Sequence, residues 1–166
     1  MTETNITFRV AERADCGLIL NFIRELAEYE KLAHEVLATE ELLTEWLFDK
    51  NAAEVIFALV DGAEVGQALF FTNFSTFMGR GGLYLEDLYV TPTHRGRGVG
   101  KALLHELARL AVERGYARFE WVCLDWNTPS IEFYKALNAK PMDGWTTFRL
   151  QGDSLHKLAG CRSNLR

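Results

Sequence analysis

The segment from Thr93 to Leu104, THRGRGVGKALL, constrains the fold more than any other part of this sequence. It has glycine at three alternate positions, 96, 98 and 100, directly before an apolar run with helical spacing. Glycine is costly within a helix and tolerates left-handed backbone, so this pattern predicts a tight turn that opens a helix. A strand-like segment, GGLYLEDLYV, precedes the turn, and another, ARFEWVCL, follows the helix. A strand, a helix and a second strand in this order predict a parallel crossover.

The rest of the chain predicts a mixed α+β fold. The segment ITFRVA has the pattern of a short edge strand, and WTTFRLQG predicts a closing strand. Between them, EVIFALVDGAEVGQALFFTNF contains two strands joined at Asp61-Gly62, a strong hairpin signal. Helices are predicted over ADCGLILNFIRELAEYEK, which Asp15 caps, over TEELLTEWLF from near Thr39, and over NTPSIEFYKAL, which Pro129 opens.

The composition is that of one globular domain. The 166 residues are 48% apolar and 25% charged, and they contain no repeat or linker-like tract. We therefore expect a single domain over residues 1–160 with a short tail over 161–166. The net charge of −5 disfavours a nucleic-acid partner, since such proteins normally carry a basic surface.

Cysteine and histidine spacing disfavours disulfides and metal sites. Cys16, Cys123 and Cys161 are far apart in sequence and form no CxxC pair, which is typical of a protein of the reducing cytoplasm. The histidines lack the HExxH spacing of a zinc site, so we expect no metal. No apolar run approaches the roughly 18 residues that span a membrane, so we expect no membrane partner. The segment MTETNITFRVAE also lacks the pattern of a signal peptide.

The glycine turn also predicts an anion site. Backbone N–H groups at a helix N-terminus, flanked by Arg95 and Arg97, form a positively polarised surface. Two phosphate loops are disfavoured by the spacing. A Walker A loop needs glycine at position 95 and serine or threonine at 102, and a dinucleotide-binding loop needs glycine at 101. A pyrophosphate would fit the turn, and the alternative is a glycine-rich turn with solvated arginines.

Four motifs together resemble one family. YLEDLYV lies before RGRGVG, and WNTPSIEFYK and a late GW follow it. This combination resembles the GCN5-related N-acetyltransferases (GNATs), and within them the diamine (spermidine/spermine) and thialysine acetyltransferase branch. The resemblance covers nearly the whole chain. It implies a mixed, mostly antiparallel twisted sheet with helices on both faces and one parallel crossover after the coenzyme-binding turn.

The resemblance implies an acetyl-CoA-dependent N-acetyltransferase that works in the cytoplasm as a homodimer. The acetyl group would pass directly to a primary amine of a small polyamine, diamine or lysine-like (thialysine) substrate, without an acyl-enzyme. Two alternatives stay open at this stage. One is acetylation of a protein or peptide amine, and the other is a non-catalytic module that binds acyl-CoA.

The family pattern also implies which residues hold acetyl-CoA. A bulge in the strand before the turn would direct a backbone N–H, most simply that of Leu88, at the thioester oxygen. Asn127 matches a coenzyme contact of the family and also has the sequence of a helix cap, and the local sequence favours the two roles equally. The implied coenzyme-binding residues are Leu88, Tyr89, Val90, Arg95, Gly96, Arg97, Gly98, Val99, Gly100, Lys101, Asn127 and Ser130.

Two residues match the family's catalytic positions. Tyr134 matches the general acid that protonates the leaving thiolate, and the alternative is a packed tyrosine. Glu86 matches a substrate-binding and base position, and the alternative is a solvated strand acid. Strict alternation along the strand predicts Glu86 on the face of Tyr84, Leu88 and Val90, with Asp87 on the opposite face.

The implied amine site is largely acidic, as recognition of a cationic substrate requires. Each of these carboxylates taken alone is more often a surface charge. The positions that match the family's amine site are Glu30, Glu86, Glu120, Trp121, Val122 and Asp143.

Overall fold

Strands in the computed structural model, which describes residues 5–160, form one five-stranded sheet in the order β1-β2-β3-β4-β5. The first four strands are antiparallel, and β4 and β5 are parallel. The strands are β1 (Ile6–Val10), β2 (Glu54–Val60), β3 (Ala63–Ser75), β4 (Arg80–Val90) and β5 (Phe119–Trp121).

Helices connect and cover these strands. The helices are α1 (Cys16–Tyr29), α2 (Glu40–Leu43), which continues as a π-helical turn (Thr44–Asp49), α3 (Val99–Glu113), α4 (Thr128–Ala136) and α5 (Gly152–Gly160). Because α3 leads from β4 to the parallel strand β5, the predicted crossover is confirmed. The chain divides into two compact units, one up to Val122 and the other from Cys123. Cys161 and the predicted tail over 161–166 lie outside the described residues.

The β2–β3 hairpin forms where the sequence predicts it. Asp61 and Gly62 both have left-handed backbone, with φ of 52° and 81°. Two successive positive φ angles define the type I′ turn that matches strand twist, which explains the Asp-Gly pair.

The two faces of the sheet are covered by different helices. On one face, Phe22 of α1 and Leu47 pack against Phe57, Leu69 and Tyr89 of the sheet in one buried cluster. Val90 follows Tyr89 on β4 and so lies on the other face, where its side chain lies against the first turn of α3. The predicted helix layers on both faces are therefore confirmed.

Asp15 does not cap α1 with its side chain, contrary to prediction. It lies at the N-cap position, but its two carboxylate oxygens accept hydrogen bonds of 2.7 and 2.8 Å from Arg9 of β1. A second carboxylate, that of Glu64, accepts from the Arg9 Nε–H at 2.8 Å. A bidentate, charge-assisted pair is stronger than a single cap bond, so Asp15 ties β1 to α1 instead.

The predicted closing strand WTTFRLQG is wrong. Residues 145–150 adopt no regular secondary structure, and α5 begins at Gly152. A strand needs a hydrogen-bonding neighbour, and within the described part of the second unit there is none. The strand predicted over ARFEWVCL is confirmed only at its centre, since β5 ends at Trp121.

Within residues 5–160, no helix is both long enough and apolar enough to cross a membrane.

Substitution of Gly66 tests the pairing register of β3 with β4, which positions the C-terminal end of β4. A Cβ at Gly66 would lie 2.5 Å from the carbonyl oxygen of Tyr89, a backbone atom that cannot move aside. We expect Gly66→Ala to lower the free energy of unfolding by about 1–3 kcal/mol in chemical denaturation, as overpacking does. Gly144→Ala is the control, because its Cβ would meet nothing within 4 Å. Equal stability of the two variants would contradict this register.

Candidate active site

The glycine turn opens α3 with left-handed backbone. Gly96 and Gly98 have φ of 72° and 84°, and Gly98 is the N-cap of the helix. Apart from the adjacent residues of the chain, no atom of the described residues lies within 4 Å of the position that a Cβ would take at either glycine, so open space lies beside the turn. Val99, which is 2% exposed, anchors the turn in the core. Exposed backbone N–H groups and the positive end of a 15-residue helix thus face a space that an anion can enter.

Arg95 is engaged with the protein at the beginning of the turn. Its Nε–H donates to the Val90 carbonyl at 2.9 Å, and its guanidinium lies over the rings of Tyr29 and Tyr89. Arg97 and Lys101 are exposed on the same segment. These two side chains extend the positive surface around the helix N-terminus.

A β-bulge interrupts β4 at Glu86. Leu69 of β3 pairs with Asp87, whereas the next residue, Phe70, pairs with Leu85, so Glu86 is the extra residue. The bulge that the family resemblance implies is therefore present. It lies two residues before Leu88, whose backbone N–H is the predicted oxyanion donor.

The pairing of β4 with β5 stops at the same place. Its last register pair joins Leu85 to Trp121. Beyond that pair, residues 86–90 of β4 continue beside β3 without β5 as a neighbour. A strand edge with unpaired backbone groups can bind an extended ligand by main-chain hydrogen bonds.

The bulge overturns the strict alternation predicted for β4. Tyr84 pairs with Phe71 and Leu88 with Ala68, and residues three apart on β3 point to opposite faces. Tyr84 and Leu88 therefore lie on opposite faces, not on one face shared with Glu86. The physical reason is the extra residue, which shifts the alternation of every later residue of β4.

Asp87 carries the most perturbed carboxyl of this region. It pairs with Leu69 on the face covered by α1, and it is partly buried. Burial and the nearby charges of Glu86 and Glu30 raise the pKa of Asp87 to about 6. Burial also raises the pKa of Glu30, which is the C-cap of α1. The structure thus brings the predicted residues Glu30 and Glu86 close to Asp87, and we call these three carboxylates the acidic cluster.

The sequence interpretation missed Asp87 as a site residue. Two adjacent acids before an apolar strand end do not reveal which one is buried. Only the bulge, which adds a residue between Leu85 and Asp87, brings Asp87 to the face of α1.

Glu120 has partners of its own in the first unit. Its carboxylate lies 2.6 Å from the Arg118 Nε and accepts a 3.0 Å hydrogen bond from Asn73. An ammonium at Glu120 would compete with this ion pair. Trp121 packs against Phe119 with ring centroids 4.8 Å apart, and Val122 is 68% exposed.

The remaining predicted residues belong to the second unit. Asn127 is the N-cap of α4 and accepts from the backbone N–H of Ser130 at 3.4 Å, so its capping role is present. Tyr134 lies on α4, partly buried, with its ring beside that of Phe133. Asp143 is exposed in the turn that a hydrogen bond from the Trp145 N–H to the Met142 carbonyl closes.

Within residues 5–160, no group of three or more histidine, cysteine, aspartate or glutamate side chains is placed to hold a metal ion.

Comparisons with known proteins agree with this geometry. The model of the acetyltransferase (GNAT) family matches residues 20–139. A thialysine N-epsilon-acetyltransferase of Mus musculus is 39% identical, covering 96% of this chain and 99% of its own length. Its counterpart in Sus scrofa is 38% identical, covering 94% and 98%. Among solved structures, an integron cassette protein of V. cholerae is similar with a TM-score of 0.78 and 25% identity, covering 93% of this chain and 97% of that one.

The chain therefore belongs to the GNAT family and is an N-acetyltransferase. This confirms the resemblance drawn from the four motifs, and members of this family use acetyl-CoA as cosubstrate.

The two ends of α3 provide a matched test of the turn. Gly98 and Gly115 both have positive φ, of 84° and 69°, and both have open space around them. Replacing either with alanine should cost about 1–2 kcal/mol of stability through backbone strain. Only Gly98→Ala should also weaken acetyl-CoA binding, by about tenfold or more, because its methyl group keeps a phosphate from the backbone. Calorimetry with each folded variant measures this, and equal Kd values would show that the turn is not the phosphate site.

The raised pKa of Asp87 predicts opposite effects on stability and activity. Its folded pKa of about 6 lies above the ordinary value of 3.8, so the carboxylate costs stability as pH rises between these values. Asp87→Asn should therefore be more stable than the native chain above pH 6, by roughly 1–3 kcal/mol, and no more stable below about pH 4. Denaturation at several pH values measures the difference.

The same substitution should change the activity profile. In the native chain, kcat/KM should rise with pH through about 6 as Asp87 ionises. Asp87→Asn should lower kcat/KM and remove this rise. An unchanged profile would exclude Asp87 from proton transfer and leave the role to another group.

Proposed function

We propose that this enzyme transfers the acetyl group of acetyl-CoA to the primary amine of thialysine or a similar small, lysine-like amine. The observation that carries the proposal is the acidic cluster of Glu30, Glu86 and Asp87 beside the bulge of β4. Three carboxylates in one partly buried place favour a cationic substrate. The names of the relatives that cover nearly the whole chain support the same substrate class.

The acidic cluster would act in two stages. First, it holds the ammonium form of the substrate. An amine attacks a thioester only when it is neutral, so a proton must then leave the ammonium group. Glu86 is the base position of the family, and Asp87, with a pKa of about 6, is ionised at neutral pH and can accept that proton. Glu86 would accept the proton from the ammonium group either directly or through a water molecule.

The bond changes follow from this arrangement. The neutral amine nitrogen forms a bond to the thioester carbonyl carbon, and the negative charge moves to the oxygen. The Leu88 N–H is proposed to stabilise that oxyanion, because unpaired β4 backbone follows the bulge. As the carbonyl re-forms, the C–S bond breaks and the nitrogen releases its second proton to solvent or to the acidic cluster, which leaves a neutral amide. Tyr134 is proposed to give a proton to the thiolate of CoA.

Acetyl-CoA is proposed to lie along β4 and over the turn. Leu88, Tyr89 and Val90 would bind its pantetheine part with main-chain groups, and residues 96–101 its pyrophosphate. The left-handed glycines and the open space beside them support this placement. Asn127 and Ser130 are proposed as further contacts, with Asn127 also capping α4.

The distal part of the substrate is proposed to meet the remaining acidic positions. Glu120 is paired with Arg118, so its contribution to binding would be small unless the substrate displaces the arginine. Trp121, Val122 and Asp143 complete the set that the family pattern assigns to the amine. A polyamine is the next candidate substrate, because it also presents a primary ammonium group.

We propose one acetyltransferase domain over residues 1–160, since the family model spans both compact units. We propose a homodimer, which the apolar tip of the β3–β4 hairpin supports, because Phe77 is 94% and Met78 59% exposed there. A cytoplasmic location is proposed from the sequence, in which the three cysteines are far apart and form no CxxC pair.

A thiol-release assay tests the function. The native chain is mixed with acetyl-CoA and, in turn, thialysine, lysine, spermidine, putrescine and a lysine-containing peptide. We expect the highest kcat/KM for thialysine or a similar lysine-like amine. A peptide as the best substrate would favour protein acetylation, and acetyl-CoA binding without turnover of any amine would favour a non-catalytic module.

Tyr134→Phe is the variant to include in that assay. It removes the proposed acid but keeps the ring, so kcat should fall by about 10²-fold or more while the Kd of acetyl-CoA stays the same. Phe133→Leu is the neighbouring control on α4, where kcat should change far less. An unchanged kcat for Tyr134→Phe, where chemistry limits the rate, would remove Tyr134 from this role.

A further inference from the structure

Arg95 joins three elements around the glycine turn. Its guanidinium carbon lies 4.9 Å from the ring centroid of Tyr29, at the end of α1, and 5.6 Å from that of Tyr89 on β4. Its Nε–H donates to the carbonyl oxygen of Val90 at 2.9 Å. The guanidinium therefore lies close to two aromatic rings and a backbone acceptor, directly before Gly96.

Tyr89 is itself fixed to α1. Its hydroxyl donates to the carboxylate of Glu25, and its ring centroid lies 5.4 Å from the ring centroid of Phe22. Burial and the Glu25 carboxylate raise the pKa of Tyr89 to about 12, so the hydroxyl keeps its proton and stays a donor. Tyr89 thus gives Arg95 a rigid surface, while Tyr29 covers it from the last turn of α1.

The turn that follows has little rigidity of its own. Gly96 and Gly98 have access to more backbone conformations than other residues, so ordering them costs more entropy. A ligand that binds a flexible turn must pay this cost, whereas a turn held in place beforehand binds more tightly. The contacts of Arg95 hold the residue at which the turn begins.

We propose that Tyr29 is a positioning residue for acetyl-CoA, acting through Arg95. The ring of Tyr29 holds the guanidinium, and the guanidinium holds the turn in the arrangement that binds pyrophosphate. The end of α1, where Glu30 contributes to the acidic cluster, is therefore also part of the support of the coenzyme site. This inference rests on the proposed role of the turn in binding acetyl-CoA.

A double-mutant cycle on the full chain tests the proposal. Calorimetry measures the Kd of acetyl-CoA for the native chain, Tyr29→Leu, Arg95→Lys and the double variant. Lysine keeps the charge of Arg95 but loses the planar guanidinium and the Nε–H. Each single variant should bind about 3- to 10-fold more weakly, and the double variant no more weakly than the worse single one. At saturating acetyl-CoA, kcat of Tyr29→Leu should be unchanged while its KM for acetyl-CoA rises.

Two further variants separate this role from a general structural one. Tyr29→Phe keeps the ring and should restore the native Kd. Arg97→Lys, in the same turn, should combine additively with Tyr29→Leu, because the proposal links Tyr29 to Arg95 alone. Tyr29 is 39% exposed, so its variants should fold, and thermal denaturation verifies this.

The outcomes distinguish the inference from the function beneath it. An unchanged Kd for Tyr29→Leu, or additive losses in the Tyr29 and Arg95 cycle, would overturn the inference while leaving acetyl-CoA binding by the native chain intact. Failure of the native chain to bind acetyl-CoA would instead overturn the proposed function, and the inference with it.

Discussion

The extra residue in β4 is the feature on which the rest of the site depends. Up to Leu85 the strand has β3 on one side and β5 on the other, and from Glu86 onward it keeps only β3. The sheet therefore gives up part of its hydrogen bonding in the strand that leads to the glycine turn. A stretch of main chain thereby lacks a second strand as a neighbour, and the following turn exposes the N-terminus of α3, which we propose binds the phosphates of the coenzyme.

The same bulge determines the electrostatics. It brings Asp87 to the face of α1, where burial and the charges of Glu30 and Glu86 work against its ionisation. Keeping a carboxyl there costs stability at neutral pH, and such costs are typical of functional sites. The positive surface of the turn and the acidic cluster follow each other along one strand and one turn. The end of β4 thus lies between the glycine turn, which suits a phosphate, and the acidic cluster, which suits an ammonium group.

Much of this architecture could be predicted from the sequence because local chemistry determines it. Asp61 and Gly62 specify their hairpin, and the alternating glycines specify the turn and the crossover. The predictions from sequence are wrong where a residue or strand elsewhere in the chain determines the local structure. The sequence predicts Asp15 as a cap, but Arg9 of another element pairs with it. WTTFRLQG has the composition of a strand but has no neighbouring strand in the described part of its unit.

The candidate site divides in the same way. The glycines, Glu30 and Glu86 can be selected from motifs. The structure places the glycines in the turn, Glu86 in the bulge and Glu30 near Asp87, while their roles stay predictions. Asp87 could not be selected in this way, because strict alternation places it opposite Tyr84, whereas the bulge brings both to one face, and a bulge leaves no mark in a single sequence. The engagement of Arg95 with Tyr29 and the pairing of Glu120 with Arg118 also depend on contacts between elements. Sequence motifs therefore indicate the reaction, while packing decides which charges remain available for it.

The most direct measurement of the central claim is a crystal structure of the chain with acetyl-CoA bound. The account predicts pyrophosphate oxygens within about 2.7–3.2 Å of backbone nitrogens of residues 96–101, with the pantetheine part along residues 86–90 of β4. It also predicts the thioester next to the bulge at Glu86. Acetyl-CoA bound away from the turn, or a thioester remote from the bulge, would contradict the account.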